Sequence, residues 1–211
     1  VKTHRLIALL AEDAPVRMRH GRTMAAALFV GAAISIAYMV LFVGIRPDIL
    51  AVVDTPRVCF KICQTLILAV VAAALVFPMG CPGVSLKTRA LALVLPVALL
   101  AVGVTMELVV VPERNWMTSM TGNYAVYCIL FVPILSLAPL ACLLLALKEA
   151  APDKPGLAGA VAGLAAGAIA ASVYAWHCPD DSPLFLAVWY SIAIMVVIFA
   201  GFILGRHVLR W

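Results

Sequence analysis

The sequence predicts an all-α, polytopic membrane protein, a six-transmembrane helical bundle with both termini cytoplasmic. Three observations predict it. The 211 residues are 65% hydrophobic and only 12% charged, whereas about a quarter of a soluble domain is charged. The apolar residues fall into six runs, each near the ~20 residues a helix needs to cross ~30 Å of hydrocarbon. Lys and Arg gather on one side of those runs. That side holds Lys2, Arg5, Arg17, Arg19, Arg22, Lys87, Arg89, Lys148, Lys154, Arg206 and Arg210. The other holds Arg46, Arg57 and Arg114, with Lys61 just inside a span. The positive side is the cytoplasmic one.

Residues 1–23 form a basic segment ahead of the first span. Within it Leu6, Ile7, Leu9, Leu10 and Ala14 make a short amphipathic run that Pro15 ends, because proline disfavours helix in the residue before it. So short a helix is not stable alone; it folds on a partner or lies on the membrane surface. The spans follow at about 24–44, 58–77, 88–111, 122–147, 156–176 and 184–205, and 206–211 is a cytoplasmic tail. The first apolar run is too long, and begins too late, for a cleavable signal peptide. No polar stretch is long enough for a separate soluble domain. The net charge of +5 sits at span ends, where it reports topology rather than nucleic-acid binding.

Within the spans, Pro96, Pro133 and Pro139 are expected to kink helices whose freed carbonyls find neighbouring partners. Gly156, Gly159, Gly163 and Gly167 recur among alanines in the fifth run. Such spacing lets backbones approach closely, either as a dimer seam or as packing inside the monomer.

Six cysteines carry the candidate chemistry: Cys59, Cys63, Cys81, Cys128, Cys142 and Cys178. The topology places Cys59, Cys63, Cys128 and Cys178 toward the outer face, which is oxidising in a bacterium-like cell. Cys59 and Cys63 share a helix face. As a pair they suit a soft metal ion; as single residues they are small, readily buried apolar groups.

The turn Trp176-His177-Cys178-Pro179-Asp180-Asp181-Ser182-Pro183 is the most unusual segment. Asp181 or Ser182 is suited to cap the sixth helix, with Pro183 at its first position. His177 beside Cys178 favours the thiolate, the form that is oxidised or binds metal, while Asp180 and Asp181 oppose it. Glu107 and Lys61 lie near span ends and are expected to snorkel to water. No Cys-x-x-Cys redox pair, zinc-protease signature or phosphate-binding glycine loop is present, so an enzyme is not expected.

The chain resembles the NrsF family of membrane anti-sigma factors, negative regulators of extracytoplasmic-function sigma factor F. The resemblance rests on Leu6-Ile7-Ala8-Leu9-Leu10-Ala11-Glu12-Asp13-Ala14-Pro15-Val16, on Pro155-Gly156-Leu157-Ala158-Gly159-Ala160, on His177-Cys178-Pro179-Asp180-Asp181-Ser182-Pro183-Leu184-Phe185 with Trp189-Tyr190, and on Leu209-Arg210-Trp211. It implies a multi-pass protein of the bacterial inner membrane whose amino-terminal segment holds a sigma factor through Leu6, Ile7, Leu9, Leu10, Asp13, Pro15 and Val16. It implies that Cys128 and Cys178 are the sensing thiols, with His177, Asp180 and Asp181 as neighbours, and that heavy metals or oxidants trigger release. Cys128, Cys178 and His177 are then the candidate ligands for a soft metal ion that acts as signal, not as cofactor. If the fourth and fifth helices are neighbours, the two thiols could come within the ~4.4–6.8 Å Cα separation of a disulfide. Two other readings remain: a small metal-binding membrane protein or transporter, and a membrane thiol oxidoreductase.

Overall fold

The computed structural model describes residues 16–80 and 89–210, with side chains from His20 onward. Among these residues the regular structure is helical, with no strand. Six stretches are long and apolar enough to cross a membrane: His20–Val43, Pro56–Gly80, Leu91–Val110, Glu113–Lys148, Pro155–Tyr174 and Pro183–Val208. They answer the six predicted runs. The ends differ most at the first helix, which already begins at Val16, and at the fourth stretch, which begins at Glu113 rather than near 122.

Local sequence explains the boundaries. Helix α1 (Val16–Tyr38) loosens into a π-helical turn, Met39–Val43, and stops at Gly44, whose φ of +83° suits a residue without Cβ. The short α2 (Ile49–Val52) lies in the loop that follows. Helix α3 (Pro56–Val76) opens with proline at its first position, where the missing N–H costs nothing. Helix α4 (Val94–Val110) ends where Val111 turns extended before Pro112. Helix α5 (Trp116–Thr121) breaks at Gly122, with φ +56°, before α6 (Ala125–Lys148). Helix α7 (Pro155–Tyr174) again begins with proline. The sixth stretch runs from α8 (Pro183–Phe185) through a second π-helical turn, Leu186–Tyr190, into α9 (Ser191–Val208).

Helix α7 is the centre of the bundle and packs on α9, α6 and α3. Its small residues decide that position. A Cβ on Gly159 would fall on the Gly201 carbonyl oxygen, and one on Gly163 would come within 2.6 Å of the Val197 carbonyl oxygen. The glycine seam is therefore taken up inside the monomer, against α9, which settles the choice between dimer and monomer packing for these positions. Peripheral helices expose large apolar side chains such as Phe29, Leu41, Val97, Val109 and Phe199, as expected of surfaces that face hydrocarbon rather than water.

Alternation of direction gives the bundle two ends. The near end carries Val16, Gly80, Lys148 and Val208. The far end carries Gly44, Pro56, Val111, Tyr174 and Pro183. The 176–183 turn lies at the far end.

Candidate functional site

The site is built on the last turn of α7. The Tyr174 carbonyl accepts from the N–H groups of both His177 (2.9 Å) and Cys178 (3.1 Å). This tight exit from the helix turns Cys178 inward. Cys128 stands in the first turn of α6. Both cysteines are fully buried free thiols, and both belong to one apolar cluster with Met39, Tyr174, Phe185 and Tyr190. Residues 50 positions apart in sequence are thus brought into one pocket of the core. The Tyr174 hydroxyl is buried there without a hydrogen-bond partner.

Above this cluster sits a clasp of charges. Lys61, one turn into α3, is only 1% exposed. Its ammonium donates to the Cys178 carbonyl at 2.6 Å and pairs with the Asp181 carboxylate. The other Asp181 oxygen accepts from Arg46 at 2.9 Å. Arg46 also pairs with Asp48 at 2.7 Å, and the bond holds the exposed Asp48 carboxyl down at about 2. A buried ammonium is tolerable because every neighbour it has lost in water is replaced by a carbonyl or carboxylate.

The remaining polar groups of the turn are also used. Asp180 Oδ2 accepts from the N–H groups of Asn123 (2.9 Å) and Tyr124 (2.8 Å), closing the start of α6. Gly122 permits that approach: a Cβ there would lie 2.6 Å from Asp180 Oδ2. Ser182 caps the sixth stretch by accepting from Leu184 N–H, and it donates to Glu107, which Arg57 pairs at 3.0 Å. His177 Nδ1 donates to the Gly44 carbonyl at 2.9 Å. A cleft of about 760 Å³, lined by Thr55, Arg57, Asn123, Asp180, Asp181 and Ser182 among others, opens over the clasp.

Several expectations change. Lys61 and Glu107 do not snorkel to water. Both are buried and paired, because the acidic turn and Arg57 offer partners at the same depth. His177 is directed at Gly44, so the cation beside Cys178 is Lys61. Burial pushes the Cys178 thiol up, and Lys61 and a bond to the Asp180 backbone only partly offset it. The resting group is the thiol. The helix cap falls to Ser182, leaving Asp181 for the ion pairs. Cys59 and Cys63 are exposed. Among the described residues no group of three or more His, Cys, Asp or Glu is gathered to hold a metal ion. Leu6, Ile7, Leu9, Leu10, Asp13 and Pro15, with Cys81, lie outside the described residues, and Val16 is described only as the start of α1.

Arg46, Lys61 and the Asp180 cap were missed from sequence. A lysine just inside an apolar run, with an acidic pair in a loop at the same face, was the available signal.

Comparison with known proteins bears on the same chain. A family model described as "Negative regulator of sigma F" (NrsF) matches residues 9–211. A "Probable anti-sigma-F factor NrsF" of Azospira oryzae is 30% identical over 213 residues, covering 100% of both chains. An "Anti-sigma-F factor NrsF" of Caulobacter vibrioides is 44% identical over 78 residues, 37% of this chain and 36% of that one. No solved structure matches.

Proposed function

This chain belongs to the NrsF family, the negative regulators of sigma F, and from that premise we propose that it is a membrane-bound anti-sigma factor rather than an enzyme. It holds an extracytoplasmic-function sigma factor at the cytoplasmic face of the bacterial inner membrane through residues 6–16. Chemistry at Cys128 and Cys178, on the far side, ends the hold. The supporting observation is the shared burial of these two free thiols, one at the start of α6 and one in the turn after α7.

Two chemistries suit the pair. An oxidant can take two electrons and two protons from the thiols and leave a disulfide. A soft metal ion can displace the two thiol protons and bind both sulfurs. Either joins the start of α6 to the end of α7, and so biases a two-state element of the bundle. Burial of the thiols also gives a threshold, since the reagent must enter a closed core through the far end.

Two experiments test the reading. A sigma factor should co-purify with membranes containing the full chain and be lost when residues 1–20 are removed. Cys128→Ser and Cys178→Ser should each remove the response of a sigma-dependent reporter to oxidant or metal. An unchanged reporter in a strain lacking the protein would refute the anti-sigma role. The transporter reading has less support, because the buried Lys61 and Glu107 are bound to neighbours at one end instead of lining a path.

A further inference from the structure

Helix α1 is held along a single stripe. Its buried positions among the described side chains are Met24, Gly31, Ser35 and Met39, spaced to share one face. Gly31 is pressed on Pro139 of α6, where a Cβ would come within 2.5 Å of the proline Cα. Ala27 and Leu28 pack partly buried beside the stripe, and Phe29 and Ile36 face outward.

The far end of α1 is fastened differently, by three bonds to residues 176–181. His177 Nδ1 meets the Gly44 carbonyl at 2.9 Å. The Arg46 N–H meets the Trp176 carbonyl at 3.3 Å. The Arg46 guanidinium meets Asp181 at 2.9 Å. Met39, in the π-helical turn just before these bonds, lies in the same buried cluster as Cys128 and Cys178. One helix therefore shares the thiols' buried cluster at its far end and leads at its near end into residues 1–15.

We propose that this fastening is the coupling element of the protein, with Arg46 and His177 as positioning residues that let the turn bearing Cys178 set the position of α1. The inference rests on the anti-sigma reading and adds its missing link. The reasoning is mechanical. Pro179 and Pro183 stiffen the turn, and Lys61 holds its middle by the Cys178 carbonyl. A sulfur that moves to meet a second sulfur carries its backbone with it. His177 and Asp181 flank Cys178 in that same short segment, so both bonds to α1 move together. The π-helical turn is a poorer register than the α-helix that precedes it, which makes it the point where α1 yields. Helix displacements of ~1–2 Å are sufficient in other switching proteins. Asp48 binds Arg46 from α1's own loop and gives no such coupling.

The test uses the full chain in membranes, with three measurements before and after oxidant: sigma factor retained, reporter output and the alkylation state of Cys178. Arg46→Gln cuts the ion pair but leaves Lys61 with Asp181, and His177→Leu cuts the second bond. Both variants are expected to accumulate normally and to keep an oxidisable Cys178. Unstressed reporter output should rise on the order of fivefold or more, the scale of ordinary allosteric coupling, and oxidant should add little. Arg46→Lys should restore part of the control, and Asp48→Asn should behave as wild type. If Arg46→Gln accumulates poorly, His177→Leu carries the test. Wild-type retention and induction in both variants, with Cys178 still oxidised, overturns the coupling role alone. A wild-type chain that never retains a sigma factor overturns the anti-sigma reading instead.

Discussion

Replacing Lys61 by methionine probes the central polar group of the far end. Methionine keeps the unbranched apolar stem of the side chain and removes its charged end. Lys61 is 1% exposed and donates to the Cys178 carbonyl and to Asp181. Two charge-assisted hydrogen bonds are lost, each contributing about 1.5–3 kcal/mol. Against this, the desolvation penalty of a buried ammonium, several kcal/mol, disappears. Asp181 is not orphaned, since Arg46 keeps its other oxygen at 2.9 Å. The balance is a loss of about 2–3 kcal/mol. Asp181→Asn should cost more, about 3–5 kcal/mol, because it leaves a buried ammonium facing carbonyls only. The double variant removes both charges. Its loss should fall short of the sum by about 0.5–3 kcal/mol, the range for residues in one network. Unfolding of the purified chain in detergent, followed by intrinsic fluorescence, supplies the four corners of the cycle. Energies that add within about 0.5 kcal/mol would refute the idea that Lys61 and Asp181 act as a pair.

Other consequences are open to simpler measurement. In intact membranes a bulky maleimide should label exposed Cys59, in the first turn of α3, but spare Cys128 and Cys178 until the chain is denatured; equal labelling of all three would contradict the buried cluster. Asp180→Ala removes the acceptor for two N–H groups at the start of α6 and should cost about 1–2 kcal/mol, read as a lower unfolding midpoint. Gly159→Leu drives a side chain into the Gly201 carbonyl and should abolish accumulation, whereas a change at outward-facing Val109 should be silent. Burial raises the Cys178 thiol above its ordinary value, so the unfolded chain loses that proton first as pH rises. Cys178 should therefore destabilise the fold in alkali, above the usual thiol range, and Cys178→Ser should remove that part of the pH dependence.

Hydropathy made the six long helices legible, because a membrane-length apolar run has few other uses. Prolines and glycines marked most boundaries, as at Pro56, Pro155, Pro183 and Gly44, because they act through their own backbone geometry. The 176–183 turn stood out for the same local reason: polar residues crowded between apolar runs. Partner choice was not legible. Sequence offered Asp181 and Ser182 equally as caps, Lys61 and Glu107 as groups that reach water, and His177 as the companion of Cys178. Each of those depends on what another helix brings to the same depth. Lys61 is dry because α3 passes under the turn. Cys128 and Cys178 share one buried cluster because α6 and α7 are packed neighbours. Arg46 reaches Asp181 because α1 ends beside it. The sequence by itself determined six helices, their order and the polar turn, through forces that act along the chain. Only the tertiary structure decided which charges are paired and which thiols share a core, because burial and close contact are properties of helices already assembled.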